Sequence, residues 1–218
     1  MRVVIAGGHG KIALILERLL SERGDSVAGI IRNRDQAADV TAAGAEPVVI
    51  DLEKTWLDKV AHHLSDADAV VFAAGAGPGS GAARKDTVDR DAAILFANAA
   101  EAAGVQRYVM VSAMAADPQA TADDEVFQAY LRAKGAADEA IRARTALTST
   151  IVRPGMLTDD AGTGRVAIAE STGRGSIPRE DVAAVLVAVL DNPATAGTTF
   201  ELIGGQTPIA EAVAALSG

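Results

Sequence analysis

The sequence predicts a single α/β domain built on a doubly wound parallel sheet, in the strand order 3-2-1-4-5-6-7. Three observations carry this. Short apolar runs alternate with helix-patterned stretches along all 218 residues. Several runs are continuous, as in Ala69-Val70-Val71-Phe72-Ala73, the pattern of strands covered on both faces. The first run stops at glycines and passes at once into a helix pattern, through Gly7-Gly8-His9-Gly10-Lys11-Ile12-Ala13.

In chain order, strands are expected at Arg2–Ala6, Ser26–Ile31, Glu46–Ile50, Ala69–Ala73, Arg107–Ser112, Ser149–Arg153 and Thr198–Leu202. Between them helices fit Lys11–Arg23, Asp35–Ala43, Thr55–Leu64, Asp86–Ala103, Asp124–Arg144 and Arg179–Leu190. Gly24, Gly44 and Gly104 follow three of these helices, where a C-terminal cap takes a left-handed residue. Right-handed crossovers then wind the sheet. Gly75–Ala83 and Thr158–Ser176 read as loops at the carboxyl ends of strands, and either is a candidate substrate lid. Residues 1–218 form one domain, with a small pocket-building portion from about 154 to 218.

Composition narrows the function classes. Hydrophobic residues make up 49%, enough for a sizeable core, yet no apolar run nears the ~20 residues that span a bilayer. There is no cysteine, so thiolate chemistry is excluded. The net charge of −9 argues against nucleic acid as a partner. The start of the chain has no basic region or cleavage motif of a signal peptide. A cytoplasmic protein with a small-molecule substrate and no membrane partner is expected.

The glycine turn is shaped for a dinucleotide. Gly7 and Gly10 let a pyrophosphate approach the main chain, and the following helix points free N–H groups and its positive end at the anion. Small Ala13 allows close helix–strand packing. Gly8 and Ile12 complete the turn. Lys11 is a candidate phosphate contact and His9 a candidate neighbour of the nicotinamide; both could equally be helix-surface residues. The second strand ends Ile31-Arg32-Asn33, with Arg32 where NAD-preferring domains carry an acid that binds ribose. A guanidinium there pairs with a 2′-phosphate, so NADP(H) is expected over NAD(H), which remains possible. Asp51 either accepts from the adenine amino group or caps the next helix, with Leu52 packing on the ring. Small Ala73, Ala74 and Gly75 let the cofactor lie close to the sheet.

Tyr130 and Lys134 are four apart on a helix and share a face. An ammonium beside a phenol lowers the tyrosine pKa, and such a tyrosine exchanges a proton with a substrate oxygen near neutral pH. Ser112, ending the fifth strand, can bond the same oxygen, and Lys134 can hold the nicotinamide ribose. His62 and His63 are adjacent on a helix and face apart, which makes a poor metal pair; no metal site is expected. Arg165 and Arg174 are weak candidates for binding an anionic substrate. Met114, Phe127, Met156 and Leu157 are candidates for an apolar pocket wall.

Together these residues resemble the short-chain dehydrogenase/reductase superfamily, most closely its atypical branch of small NAD(P)H-binding, NAD-dependent epimerase/dehydratase-like proteins. The likeness covers nearly the whole chain. Its further marks are Val88-Asp89-Arg90-Asp91, Gly104 to Ser112, Thr150 to Leu157 and Arg179-Glu180-Asp181-Val182-Ala183. The resemblance implies a Rossmann fold binding NADP(H) at Gly7, Gly10 and Arg32, and a Ser112, Tyr130, Lys134 catalytic set. It also implies that the backbone of Pro154, Gly155, Met156 and Leu157 lies beside the nicotinamide. Ser112 and Tyr130 stand further apart than in familiar members, with an acidic insert between them. The large C-terminal domain of sugar-nucleotide epimerases is lacking, which argues against a nucleotide sugar as substrate. An NADP(H)-dependent oxidoreductase of a small carbonyl or ring compound is the leading expectation. A non-catalytic NADP(H) sensor and a flavin or quinone reductase are the alternatives. By analogy with dimeric members, helices 86–103 and 124–144 would pair in a homodimer; a monomer is equally open.

Overall fold

A computed structural model describes residues 1–77 and 79–217. Pro78, inside the Gly75–Ala83 stretch, and the terminal Gly218 lie outside the described residues. The chain alternates β1 (Arg2–Ala6), α1 (Lys11–Glu22), β2 (Ser26–Ile31), α2 (Ala37–Ala42), β3 (Glu46–Val49), α3 (Leu57–Leu64) and β4 (Ala69–Phe72). A short α4 (Gly81–Arg84) runs through a π-helical segment, Lys85–Asp91, into α5 (Ala92–Ala102). Next come β5 (Arg107–Val111), α6 (Glu125–Arg142), β6 (Thr148–Pro154), β7 (Met156–Thr158), β8 (Arg165–Ala169) and β9 (Ser176–Pro178). The chain ends with α7 (Arg179–Asp191), β10 (Thr199–Gly204), β11 (Thr207–Pro208) and α8 (Ile209–Ala214).

The main sheet runs β11-β8-β10-β6-β5-β4-β1-β2-β3. The seven strands expected from sequence are β1 to β6 and β10, all parallel and in the expected order 3-2-1-4-5-6-7. This is a Rossmann-type sheet. Beyond β10 two antiparallel strands extend it, β8 beside β10 and β11 beside β8. The stretch expected to be a loop, Thr158–Ser176, therefore contains β8, and β7 pairs with β9 in a separate two-stranded sheet. Arg165-Val166-Ala167-Ile168-Ala169 stands between polar, Gly-containing stretches, and its ladder partner lies more than 30 residues away, at Glu201–Gly204.

Side chains of β1 alternate between the two faces. Val3 and Ile5 join Leu16, Leu20, Val185 and Leu186 under α1 and α7, while Val4 and Ala6 join Val60, Leu64, Phe96 and Ile141 under α3, α5 and α6. A two-residue period with both faces apolar is what a doubly covered strand requires. Phe72, Phe96 and Tyr108 form an aromatic column on the second face, with centroids 6.1 and 6.0 Å apart. Both faces being filled, small molecules are left the crevice at the carboxyl ends of β1, β2, β4 and β5.

Candidate active site

The first turn is held by backbone alone. The N–H groups of Gly7 and Gly8 both donate to the Ile30 carbonyl, at 3.1 and 2.9 Å, and Gly10 N–H donates to Gly7 O at 2.8 Å. Gly7 has φ +81°, and a Cβ there would lie 2.6 Å from Ala74 Cα. Glycine is thus needed for the turn itself and for its approach to the end of β4. Gly10 caps α1 in extended geometry with no side-chain bond to the first turn, and no acidic residue stands there. The first N–H groups of α1 remain available to an anion.

A cavity of about 280 Å³ opens over this turn. Of the residues expected to bind the cofactor, Gly7, His9, Gly10, Arg32, Asp51, Leu52, Ala73, Ala74 and Gly75 line it. Gly8, Lys11, Ile12, Asn33 and Pro154 to Leu157 do not. Gly8 lies behind the turn, where a Cβ would meet Gly29 Cα at 2.7 Å. Ile12 packs on the core under α1. Asn33 caps the helical turn that follows β2, accepting from Asp35 N–H at 3.1 Å. Lys11 pairs with Asp159 at 2.5 Å, and Asp159 also holds Arg179 at 2.7 Å. These two cations keep the Asp159 carboxyl below the usual range.

His9 lines the cavity and leans on the segment after β2. Its ring contacts Asp39 at 2.7 Å and Gln36 at 3.2 Å, both on the segment after β2. That neighbourhood is where the sequence expects the adenosine end. Arg32 lies there with no hydrogen bond or ion pair among the described residues, and its field reaches Glu53. Asp51 accepts from Glu53 N–H at 3.1 Å and pairs with Lys54 at 3.3 Å, so it caps its own turn. Sequence reasoning missed the pair beside it. Glu53 binds Arg84 at 2.6 Å and Thr87 at 2.7 Å, which holds its carboxyl below the usual range. Both Glu53 and Arg84 line the cavity. They are 31 residues apart with no motif between them, and only the crossover from β3 to the segment after β4 brings them together.

Behind the cavity wall, Ser112, Tyr130 and Lys134 gather around two buried carboxylates that sequence reasoning assigned no role. Asp89 and Asp138 are fully buried. Lys134 Nζ lies 3.4 Å from Asp89 and donates to Val111 O at 3.0 Å and Ala74 O at 3.4 Å. Asp89 also accepts from Ala76 N–H at 3.2 Å. Asp138 binds Arg153 at 2.8 Å through one oxygen; burial pushes its carboxyl up, against the pull of Ser112, Arg153 and Lys134. The Ser112 hydroxyl and the other Asp138 oxygen are buried near each other without meeting hydrogen-bond geometry.

The expectation that Lys134 lowers the Tyr130 pKa is not met. Burial, with Asp89 and Asp138 adding to it, pushes the phenol well above its usual value. The physical reason is that the ammonium is spent on Asp89 and on two carbonyls, so the phenol sees the carboxylates more than the lysine. Half-buried Tyr130 stacks on exposed Phe127, with centroids 6.1 Å apart, and its hydroxyl has no hydrogen bond among the described residues.

The segment after β6 is anchored. Pro154 O accepts from Met114 N–H at 3.0 Å, and Gly155 N–H donates to Leu202 O at 2.9 Å. Leu157 packs on the core, while Met156 is 71% exposed. The 158–176 stretch is fastened by three carboxylates. Buried Asp181 accepts from Thr163 N–H, Thr163 Oγ1 and Gly164 N–H at 2.8–3.0 Å; Glu180 takes Gly162 N–H, and Glu201 takes Thr172 N–H, each at 2.8 Å. A loose lid is not what these bonds describe. Arg165 donates to Gln206 O at 2.6 Å, a structural tie. His62 and His63 meet edge to face, and no cluster of potential metal ligands exists among the described residues. Among the same residues no helix is long and apolar enough to cross a membrane.

With this geometry in hand, the comparisons with known proteins decide the family. The NAD(P)H-binding family pattern matches residues 7–193. The chain belongs to the NAD(P)H-binding family. It is 38% identical over 214 residues to the uncharacterized sugar epimerase YhfK of Bacillus subtilis, covering 98% of this chain and 99% of that protein. A provisionally named NAD-dependent epimerase/dehydratase from Bacillus halodurans superposes with a TM-score of 0.90 at 37% identity, over 99% of both chains. The oxidoreductase YlbE from Lactococcus lactis superposes with a TM-score of 0.86 at 25% identity, over 99% of this chain and 96% of that one. These neighbours place this NAD(P)H-binding protein among the atypical short-chain dehydrogenases and the NAD(P)-dependent oxidoreductases.

Proposed function

We propose that the protein reduces a small carbonyl or ring compound with NADPH, with Tyr130 as proton donor. The observation that carries this is the convergence of Ser112, Tyr130 and Lys134 on Asp89 and Asp138, directly behind the Ala74–Ala76 wall of the coenzyme cavity. The glycine turn and the first turn of α1 would seat the pyrophosphate, and Arg32 the 2′-phosphate. The cavity residues fit that group, since Gly7 leaves the main chain bare and the Arg32 guanidinium is unspent. When bound, the coenzyme supplies hydride. Tyr130 gives its proton to the substrate oxygen, and Ser112 orients that oxygen. A phenol held neutral by burial is an acid, which favours reduction over oxidation. Lys134 acts by fixing Asp89 and the Ala74 carbonyl, and the backbone from Pro154 to Leu157 would flank the nicotinamide.

Two measurements test this. Tyr130→Phe should lose about 100-fold in turnover with coenzyme affinity kept within about twofold. Undiminished turnover would favour the second reading, flavin or quinone reduction by hydride transfer alone, to which a phenol with raised pKa and a fully engaged Lys134 also point. Arg32→Glu should weaken NADPH about 30-fold and leave NADH nearly unchanged, since it replaces the phosphate partner by a repelling charge. Equal effects on both coenzymes, read by fluorescence titration, would remove Arg32 from coenzyme choice. A cytoplasmic location and a monomeric or homodimeric state accompany the proposal.

A further inference from the structure

Lys85 has no part in the scheme above, yet its placement asks for a ligand. It opens the π-helical segment Lys85–Asp91 and is 7% exposed. Its ammonium donates to Gly77 O at 2.8 Å and lies 5.4 Å from the centre of the Tyr130 ring. Its two other N–H donors meet no acceptor among the described residues. The neighbouring carboxylates are committed elsewhere: Asp86 to Arg90, Asp89 to Lys134 and Ala76, Asp138 to Arg153. Taking an ammonium out of water is costly, and one carbonyl with an aromatic face returns only part of that cost. A buried cation without an anion is uncommon in a finished fold, all the more in a chain of net charge −9.

Its position says which ligand supplies the anion. Gly77, whose carbonyl the ammonium bonds, lines the cavity, and the Tyr130 ring lies 5.4 Å from the same ammonium. Phe127, stacked on Tyr130 and 51% exposed, adds a second aromatic ring beside the same phenol. We propose that Lys85 receives a carboxylate or enolate-type oxygen of the substrate, whose flat apolar body lies along Tyr130 and Phe127. This rests on the reading that the Tyr130 side of the cavity is the substrate side.

Matched acids and esters test it. NADPH and NADP+ are titrated first by calorimetry; benzoate, phenylacetate and benzoylformate, each beside its methyl ester, are then titrated onto the coenzyme-free and the NADP+-loaded protein. The acids should bind about 10-fold or more tightly than the esters. Lys85→Met should erase that preference and leave ester binding unchanged, while Lys85→Arg should keep most of it. Equal binding of acid and ester by the wild type, no binding of any acid, or a preference surviving in Lys85→Met would overturn the proposal. So would a 10-fold loss of NADP+ affinity in Lys85→Met with the acid preference intact, because the cation would then serve the coenzyme. Absence of coenzyme binding by the wild type would instead sink the function proposed above, and the acid–ester comparison on coenzyme-free protein would still decide the role of Lys85.

Discussion

A Gly7→Ala variant is expected to bind neither nicotinamide coenzyme measurably, with affinity lowered roughly 1,000-fold, or ~4 kcal/mol. Two costs add. The residue sits at φ +81°, where a side chain is strained by about 1–2 kcal/mol. The new Cβ would also stand 2.6 Å from Ala74 Cα and 2.7 Å from Ala74 N, both backbone atoms that cannot rotate away. The turn must then part from the end of β4, and both line the coenzyme cavity. Gly24→Ala provides the control. It shares the positive φ, +93°, but has open space around its Cβ position. It should lose about 1 kcal/mol of stability and no coenzyme affinity. Calorimetric titration of both variants reads the difference. Near-normal binding by Gly7→Ala would mean that the diphosphate rests elsewhere.

The second large effect concerns Glu17, on the buried side of α1. Both carboxyl oxygens are buried without a hydrogen-bond partner among the described residues, pressed against Gly29 and Gly8 beneath the glycine turn. Burial raises its pKa from 4.5 to about 8. The folded protein therefore holds a proton between those values that the unfolded chain has released, so stability falls as pH rises from about 4.5 to about 8 and levels off above. The full loss is of the order of 3–5 kcal/mol. Burial alone accounts for the shift, with no charged side chain contributing to it. Glu17→Gln keeps the shape and cannot ionise. Urea unfolding should find it more stable than the wild type at pH 8.5 by about 2 kcal/mol or more, with the two converging near pH 5. A difference between the two that does not vary with pH would show that Glu17 is solvated or paired.

The turn Gly7 to Ala13 and the seven parallel strands were legible in the sequence because each is a local matter. A glycine at positive φ and an apolar run covered on both sides leave marks within a few residues. Tyr130 and Lys134 were legible as a pair by helical spacing, but their electrostatics were not. Lys134 is drawn to Asp89, 45 positions earlier, and to carbonyls at the end of β5 and just past β4, and the direction of the tyrosine shift follows from that. Glu17 reads as an ordinary helix-surface acid until Gly29 is found opposite, leaving it room inside. Strands β8 and β11 gain their pairing from β10, distant in the chain, and the Glu53–Arg84 and Asp181–Thr163 contacts arise only from crossovers. Sequence by itself determined the fold class, the glycine turn and the family, since these depend on backbone conformation and hydrophobic period. Tertiary structure alone decided which charges are buried, which are paired and which, like Lys85, have no counter-ion among the described residues, because burial and Coulomb energy depend on distances that folding creates.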